Sequence, residues 1–249
     1  MAGKVALITG GAGSIGAASA RLLCAEGARV VIADVRYEPL RVLEADLGEQ
    51  CAASVVADTS HSSQVRGAVE LAVERFGGLD VAFANAGVFG ELAPVTEYSE
   101  EVFDRVMEVN VRGSFLLAKH ALGAMRPGGS LIINSSVVGL TSDPGICAYA
   151  TSKHALVGLM RTAAKEVADR GIRVNTIHPG PTDNAFQQRV EVAATGAPEE
   201  EAARAFERMI PLGRHAQPDE VAQTVLFLAS DESRFITGAR VPVDGGMSA

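Results

Sequence analysis

Cysteine is scarce in this 249-residue chain: Cys24, Cys51 and Cys147 are unevenly spaced and form no C-x-x-C. Neither a disulfide framework nor a zinc site is expected from them, and a reducing cytoplasm suits such a sequence. Blocks of lysine and arginine are absent too, and with 22 basic against 30 acidic residues the formal net charge is −8. That balance argues against nucleic acid and acidic membranes as partners and reads as a solubility feature. No apolar run approaches membrane-spanning length. Strand-like sequence begins at Lys4, leaving no room for a signal peptide's h-region and cleavage site. Internal repeats and low-complexity tracts are missing. The sequon Asn134-Ser-Ser136 ends a buried strand and is set aside. His61, His120, His154 and His215 have no partners at ligand spacing, so no metal is expected.

What is present is an apolar content of 47%, enough for one sizeable core. Strand-like runs at 4–9, 29–34, 52–57, 79–84, 131–133, 172–177 and 239–243 alternate with helical patterns at 15–26, 39–47, 62–76, 100–125, 148–167 and 218–229. This rhythm predicts an α/β fold, a single-domain doubly wound parallel sheet over residues 1–249 with helices on both faces. Residues 182–214 lose the rhythm and turn Ala-, Glu- and Arg-rich. They are expected to form an insertion over the strand ends, with short helices near 186–194 and 199–209, placed to cover a substrate.

The first strand stops at Gly10-Gly-Ala-Gly-Ser-Ile-Gly16. A glycine-rich turn into a helix exposes backbone N–H groups at the positive end of the helix dipole, a site for pyrophosphate. Two registers are open: Gly11-x-Gly13-x-x-Gly16, and Thr9-Gly10-x-x-x-Ser14-x-Gly16. Asp34 stands eighteen residues past Gly16, at the end of the second strand, where a carboxylate accepts hydrogen bonds from ribose hydroxyls and repels a 2′-phosphate. NAD is therefore favoured over NADP, although Arg36 lies close by. Asp58 and Asn85-Ala86-Gly87 fall at further strand ends, with Asp58 suited to an adenine edge. Asn110 sits between two valines in a helical pattern and must be hydrogen-bonded if buried.

In the stretch from Leu131 to Lys153, Ser136 follows a strand, and Tyr149 and Lys153 lie four residues apart on a predicted helix. Side chains at i and i+4 meet, and an ammonium beside a phenol favours the phenolate. A hydroxyl, a phenol and an ammonium converging on one oxygen suit proton exchange with an alcohol or carbonyl.

With the glycine loop, Asp34, Asn85-Ala-Gly87, Asn110, Ser136 and Tyr149-x-x-x-Lys153 in this order, the chain resembles the short-chain dehydrogenase/reductase family over nearly its whole length. Phe227-Leu-Ala-Ser, Ile236-Thr-Gly238 and Val243-Asp-Gly-Gly246 match the family's ending. The resemblance implies a Rossmann-type fold and hydride transfer between NAD and a secondary alcohol or ketone. It makes Tyr149 the general acid/base and Lys153 the residue that lowers its pKa and holds the nicotinamide ribose. Ser136 becomes the hydroxyl orienting the substrate oxygen, and Asn110 the anchor of a relay water. Cofactor contacts are implied at Gly10, Gly13, Ser14, Ile15, Gly16, Asp34, Asp58, Thr59, Asn85, Ala86, Gly87, Pro179, Gly180, Thr182 and Asn184.

Two positions depart from the family's pattern. Ser14 replaces its middle glycine, and Gly13 is expected to take the strained conformation instead, with the Ser14 hydroxyl bonding a phosphate oxygen. Asn184 stands where the family commonly has threonine, and either Asn184 or Thr182 can hold the nicotinamide carboxamide. Phe89, Val138, Ile146, Tyr149 and Phe186, with His178 at the edge, are expected to line an apolar substrate pocket. That lining favours a cyclic, aromatic or alicyclic alcohol over a free sugar. The family further implies a homotetramer, less often a dimer, in the cytoplasm. A catalytically idle NAD-binding sensor or scaffold is the alternative, against which the intact Ser136, Tyr149, Lys153 and Asn110 argue. An epimerase or dehydratase would need a larger substrate domain than residues 182–214 supply.

Overall fold

The computed structural model describes residues Met1–Ala249. Seven strands form one parallel sheet in the order β3-β2-β1-β4-β5-β6-β7: β1 (Val5–Thr9), β2 (Arg29–Asp34), β3 (Ala52–Val56), β4 (Val81–Ala84), β5 (Ser130–Asn134), β6 (Arg173–Pro179) and β7 (Arg240–Val243). The central strands are apolar on both faces because helices cover both. Along β1, Val5 and Leu7 pack into a core with α3 (Ser62–Phe76), α5 (Gly113–Ala124) and α6 (Cys147–Glu166). Ala6 and Ile8 point the other way, into a core with α1 (Ser14–Ala25), α2 (Tyr37–Leu47) and α9 (Pro218–Ala229). Strand order reverses between β1 and β4, and the crevice beyond the carboxyl ends of such strands is where ligands bind in this architecture.

The helical pattern at 100–125 is not one regular helix. It runs as α4 (Glu100–Val106), a widened π-helical turn (Met107–Arg112) and α5. Asn110 lies in that turn, fully buried, with every polar atom of its side chain engaged. Nδ2 donates to the Val88 carbonyl (2.9 Å) and the Ser152 hydroxyl (3.0 Å), while Oδ1 accepts from Val88 N–H (2.8 Å). The expected insertion appears as α7 (Ala185–Thr195) and α8 (Glu199–Glu207) between β6 and α9. It is tied down by His215, whose Nε2 is 2.6 Å from Oε1 of the buried Glu191 and whose Nδ1 is 3.5 Å from Glu207.

The cysteines correct their expectation. Cys24 near the end of α1 and Cys51 just before β3 are bonded to each other, with Cα atoms 6.0 Å apart. Their spacing hides this because the β2–β3 pairing, with Val30 opposite Ala52, closes the intervening loop. No helix is long and apolar enough to cross a membrane.

Candidate active site

At the carboxyl ends of the central strands lies a cleft of about 650 Å³, and the glycine loop forms one wall. Gly10 turns the chain with φ +62°, and a Cβ there would come within 2.9 Å of the Ala86 backbone. Gly16 does not line the cleft. It lies behind the loop, where a Cβ would overlap the Gly10 carbonyl and come within 2.9 Å of Gly11 Cα. Gly13 corrects the expected strain: it is extended, at φ −76° and ψ 163°, and the left-handed turn falls on Gly10 instead. Ser14 opens α1, exposed, with no side chain capping the helix ahead of it. The first-turn N–H groups thus face the cleft unblocked, which fits a bound pyrophosphate.

Asp34 is nearly buried at the end of β2 and accepts from Ala12 N–H (3.1 Å) and Arg36 N–H (3.1 Å). The Arg36 guanidinium also closes on it, Nε to Oδ1 at 3.0 Å and Nη2 to Oδ2 at 3.1 Å. Asp58 accepts from the Ser60 backbone and hydroxyl through Oδ1 and has Arg105 at 3.5 Å from Oδ2. Burial pushes its carboxyl up, but the Ser60 bonds and Arg105 outweigh this and hold it below its usual range. Thr59, Ala86, Gly87, Pro179 and Gly180 line the same cleft. Asn85 donates to the Gly10 carbonyl (3.0 Å) and accepts from Asn134 Nδ2 (2.9 Å), so three strand ends are laced together.

Across from this wall, Ser136 leaves β5 in an extended conformation, and Tyr149 and Lys153 share one face of α6. Lys153, 3% exposed, donates from Nζ to the Asn134 carbonyl (2.9 Å) and lies 5.4 Å from the centre of the Tyr149 ring. Burial pushes the Tyr149 phenol up to about 12, with the Ser136 hydroxyl bonded to it pulling the other way. Burial also brings Lys153 down to about 8. In the free protein the surroundings of the phenol thus raise it, burial being the largest cause and the Ser136 bond the opposing one.

The end of the cleft beside Tyr149 is walled by aromatic rings. Phe89 and Tyr149 have centroids 5.1 Å apart, and Phe186 at the start of α7 is 6.3 Å from Phe89 and 6.4 Å from Tyr149. Val138 and Ile146 pack beneath them. Thr182 and Asn184 both face the cleft, but each is engaged: the Thr182 hydroxyl donates to the Gly180 carbonyl (3.1 Å), and Asn184 Oδ1 caps α7 by accepting from Gln187 N–H (2.9 Å). His178 corrects its expectation. It is fully buried in β6 and does not line the cleft. Asn110 is likewise outside it. Sequence reasoning missed Asn134, Leu92, Val190, Phe206 and Met247, all of which line the cleft. Asn134 had a signal, its place just before Ser135-Ser136 at a strand end, whereas Met247 follows the last strand with no periodicity to mark it.

A family model described as enoyl-(acyl carrier protein) reductase matches residues 10–248. Momilactone A synthase of Oryza sativa subsp. japonica is 42% identical over 253 residues, spanning 100% of this chain and 91% of that protein. This chain belongs to the short-chain dehydrogenase/reductase family. Cyclohexanol dehydrogenase of Acinetobacter sp. (strain SE19) is 38% identical over 251 residues, covering 99% of this enzyme and 95% of that one. The crystal structure of an NAD+-bound xylitol dehydrogenase superposes with a TM-score of 0.93 at 35% identity, covering 98% of this enzyme and 99% of that chain. The enzyme is an oxidoreductase that moves hydride between a nicotinamide dinucleotide and the carbon of a secondary alcohol or ketone.

Proposed function

We propose that the enzyme uses NAD to oxidise a cyclic secondary alcohol, or to reduce the corresponding ketone, at Tyr149. The observation that carries this is the convergence of Ser136, Tyr149 and Lys153 opposite the glycine loop, with Phe89, Tyr149 and Phe186 forming one aromatic wall. In oxidation the Ser136 hydroxyl holds the substrate oxygen while Tyr149, as phenolate, takes its proton. Lys153 supplies positive charge beside the phenol and a donor for the nicotinamide ribose. When bound, the nicotinamide supplies the hydride acceptor, and its oxidised ring brings a second positive charge. The Gly10–Gly16 loop, with Ser14 and Ile15 in the first turn of α1, cradles the pyrophosphate. Asp58, Thr59, Asn85, Ala86, Gly87, Pro179 and Gly180 shape the rest of the cofactor's bed, and Thr182 or Asn184 receives the carboxamide. Asn110 holds the loop after β4 against α6 through Val88 and Ser152 and, in this reading, anchors a relay water near Lys153.

Asp34 favours NAD by accepting from the ribose hydroxyls, with Arg36 turned onto Asp34 and away from a phosphate. Residues 1–249 act in this reading as one domain, with 182–214 covering the substrate, and the molecule as a homotetramer in the cytoplasm. In a reducing cytoplasm the Cys24–Cys51 bond would be exposed to reduction.

The test is absorbance of reduced nicotinamide with NAD, and separately NADP, against cyclohexanol, a hydroxysteroid, xylitol and a hydroxyacyl ester. Turnover of the cyclic alcohols with NAD, and little with NADP, is expected. Preference for xylitol would reject the apolar substrate class, and equal use of NADP would reject the role given to Asp34.

A further inference from the structure

The mechanism leaves His178 unused, yet its surroundings are specific. It is fully buried in β6, with Nδ1 2.8 Å from the Ser136 carbonyl oxygen and Nε2 2.9 Å from the Thr176 hydroxyl. A carbonyl cannot donate, so Nδ1 must carry the hydrogen; Nε2 of the neutral ring is then an acceptor facing the Thr176 hydroxyl, whose single hydrogen has a longer alternative at the Ala239 carbonyl (3.3 Å). Burial holds the imidazole below its ordinary pKa, against the bond to Ser136, and Arg240, Lys153 and His154 add to the lowering. The ring therefore stays in this neutral tautomer.

The bond falls where the sheet stops supplying one. Ser135 N–H still donates to the Ile177 carbonyl in the β5–β6 ladder, but β5 ends at Asn134 and the chain turns away at Val137. The Ser136 carbonyl meets only the Gly139 N–H (2.9 Å) of the following turn and the His178 ring. Fixing that carbonyl fixes the peptide plane beside the Ser136 Cα and so the point from which the side chain projects, while Oγ itself accepts from Val138 N–H (3.4 Å) and meets Tyr149.

We propose that His178 is a positioning residue that aims the Ser136 hydroxyl by donating from Nδ1 to the Ser136 carbonyl. The proposal rests on the role given to Ser136 above. It makes a distinction that mere core packing does not. The Nδ2 of asparagine occupies the place of imidazole Nδ1 along the side chain, whereas the amide of glutamine reaches toward the place of Nε2.

The experiment compares His178→Asn, His178→Gln, His178→Leu and Ser136→Ala for kcat and KM with NAD and the cyclic alcohol oxidised fastest in the panel above, and for NADH affinity by fluorescence. Expected are a kcat within a few-fold of wild type for His178→Asn and a roughly ten- to hundredfold lower kcat for Gln and Leu, with NADH affinity unchanged throughout. Nitrogen-15 shifts of His178 should show a protonated Nδ1 and a bare Nε2 in the wild-type protein. Equal losses for Asn and Gln, wild-type kcat in Leu, losses of kcat and NADH affinity together, or a bare Nδ1 would each overturn the proposal. Wild-type turnover in Ser136→Ala would instead bring down the reading of Ser136 on which it stands.

Discussion

The two walls of the cleft are built by different means. The cofactor wall is made of backbone: the Gly10–Gly16 loop, the ends of β1, β2 and β4, and the Asn85–Gly10 and Asn134–Asn85 bonds that lace together the ends of β1, β4 and β5. The substrate wall is made of side chains from separate segments. Phe89 follows β4, Val138 follows β5, Phe186 begins α7, and Met247 lies near the end of the chain. A wall of backbone fixed by a sheet admits one ligand shape, whereas a wall of side chains on connecting segments can be refitted by substitution without disturbing the fold. Specificity for the alcohol should therefore change more readily than specificity for the dinucleotide.

The residue between the walls should show the largest effect. Tyr149→Phe keeps the ring that packs on Phe89 and removes only the oxygen. Turnover should drop roughly a hundred- to ten-thousandfold, with NADH affinity within a few-fold of wild type. A variant that still turned over at the wild-type rate would remove Tyr149 from the chemistry. The pH dependence has a definite sign. Because the free phenol lies near 12, its phenolate is a small fraction at neutral pH and grows with every step upward. Alcohol oxidation should accelerate from neutral into alkaline pH, and ketone reduction, which needs the protonated phenol, should not. Lys153 at about 8 loses its charge over the same range, so the rise should level before the phenol itself titrates. A flat profile for oxidation would mean that another group takes the proton.

Gly16→Ala attacks the backbone wall alone. The new Cβ would overlap the Gly10 carbonyl and crowd Gly11 Cα, so the loop must shift off the start of α1. NADH affinity should weaken roughly ten- to hundredfold with a lower melting temperature, overpacking of this kind being costly wherever backbone cannot yield. Unchanged NADH affinity would show that the loop is softer than its packing implies.

The contrast between the walls also explains what the sequence made legible. Buried parallel strands announce themselves as short Val-, Ile- and Leu-rich runs stopped by glycine or aspartate, and the predicted strands and helices were found within a few residues, save that the pattern at 100–125 is divided by a π-helical turn. Most of the residues proposed to hold the cofactor sit at those stops, so reading the strands brought them to the cleft. Gly16 is the partial exception: it lies behind the cleft lining, where packing against Gly10 and Gly11 leaves no room for a Cβ, and the motif cannot tell packing from contact. His178 was misplaced at the cleft edge because β6 runs two residues further than its apolar pattern, to Pro179, and pairs there with β7. The Cys24–Cys51 bond and the place of Met247 depend on which strands become neighbours, a long-range fact without local period. Tyr149 and Lys153 share one helix, as their spacing predicts, but titration in a buried site also depends on desolvation, which spacing does not report.

Phe186→Ala, the smallest of these effects, asks whether the side-chain wall can be altered alone. Phe186 meets Phe89 edge-on at 83° and Tyr149 at 44°, so its ring both covers the substrate space and holds the Tyr149 ring from one side. Its removal should lower kcat/KM for cyclohexanol about tenfold, since an aromatic partner contributes beyond its buried area, chiefly through a higher KM. NADH affinity should stay at the wild-type level, because α7 remains capped by Asn184 and anchored through Glu191 to His215. Should NADH affinity fall along with KM, the two walls are coupled through α7, and the cover would belong to the cofactor site as much as to the substrate's. Should kcat fall instead of KM rising, Phe186 acts by orienting the Tyr149 ring.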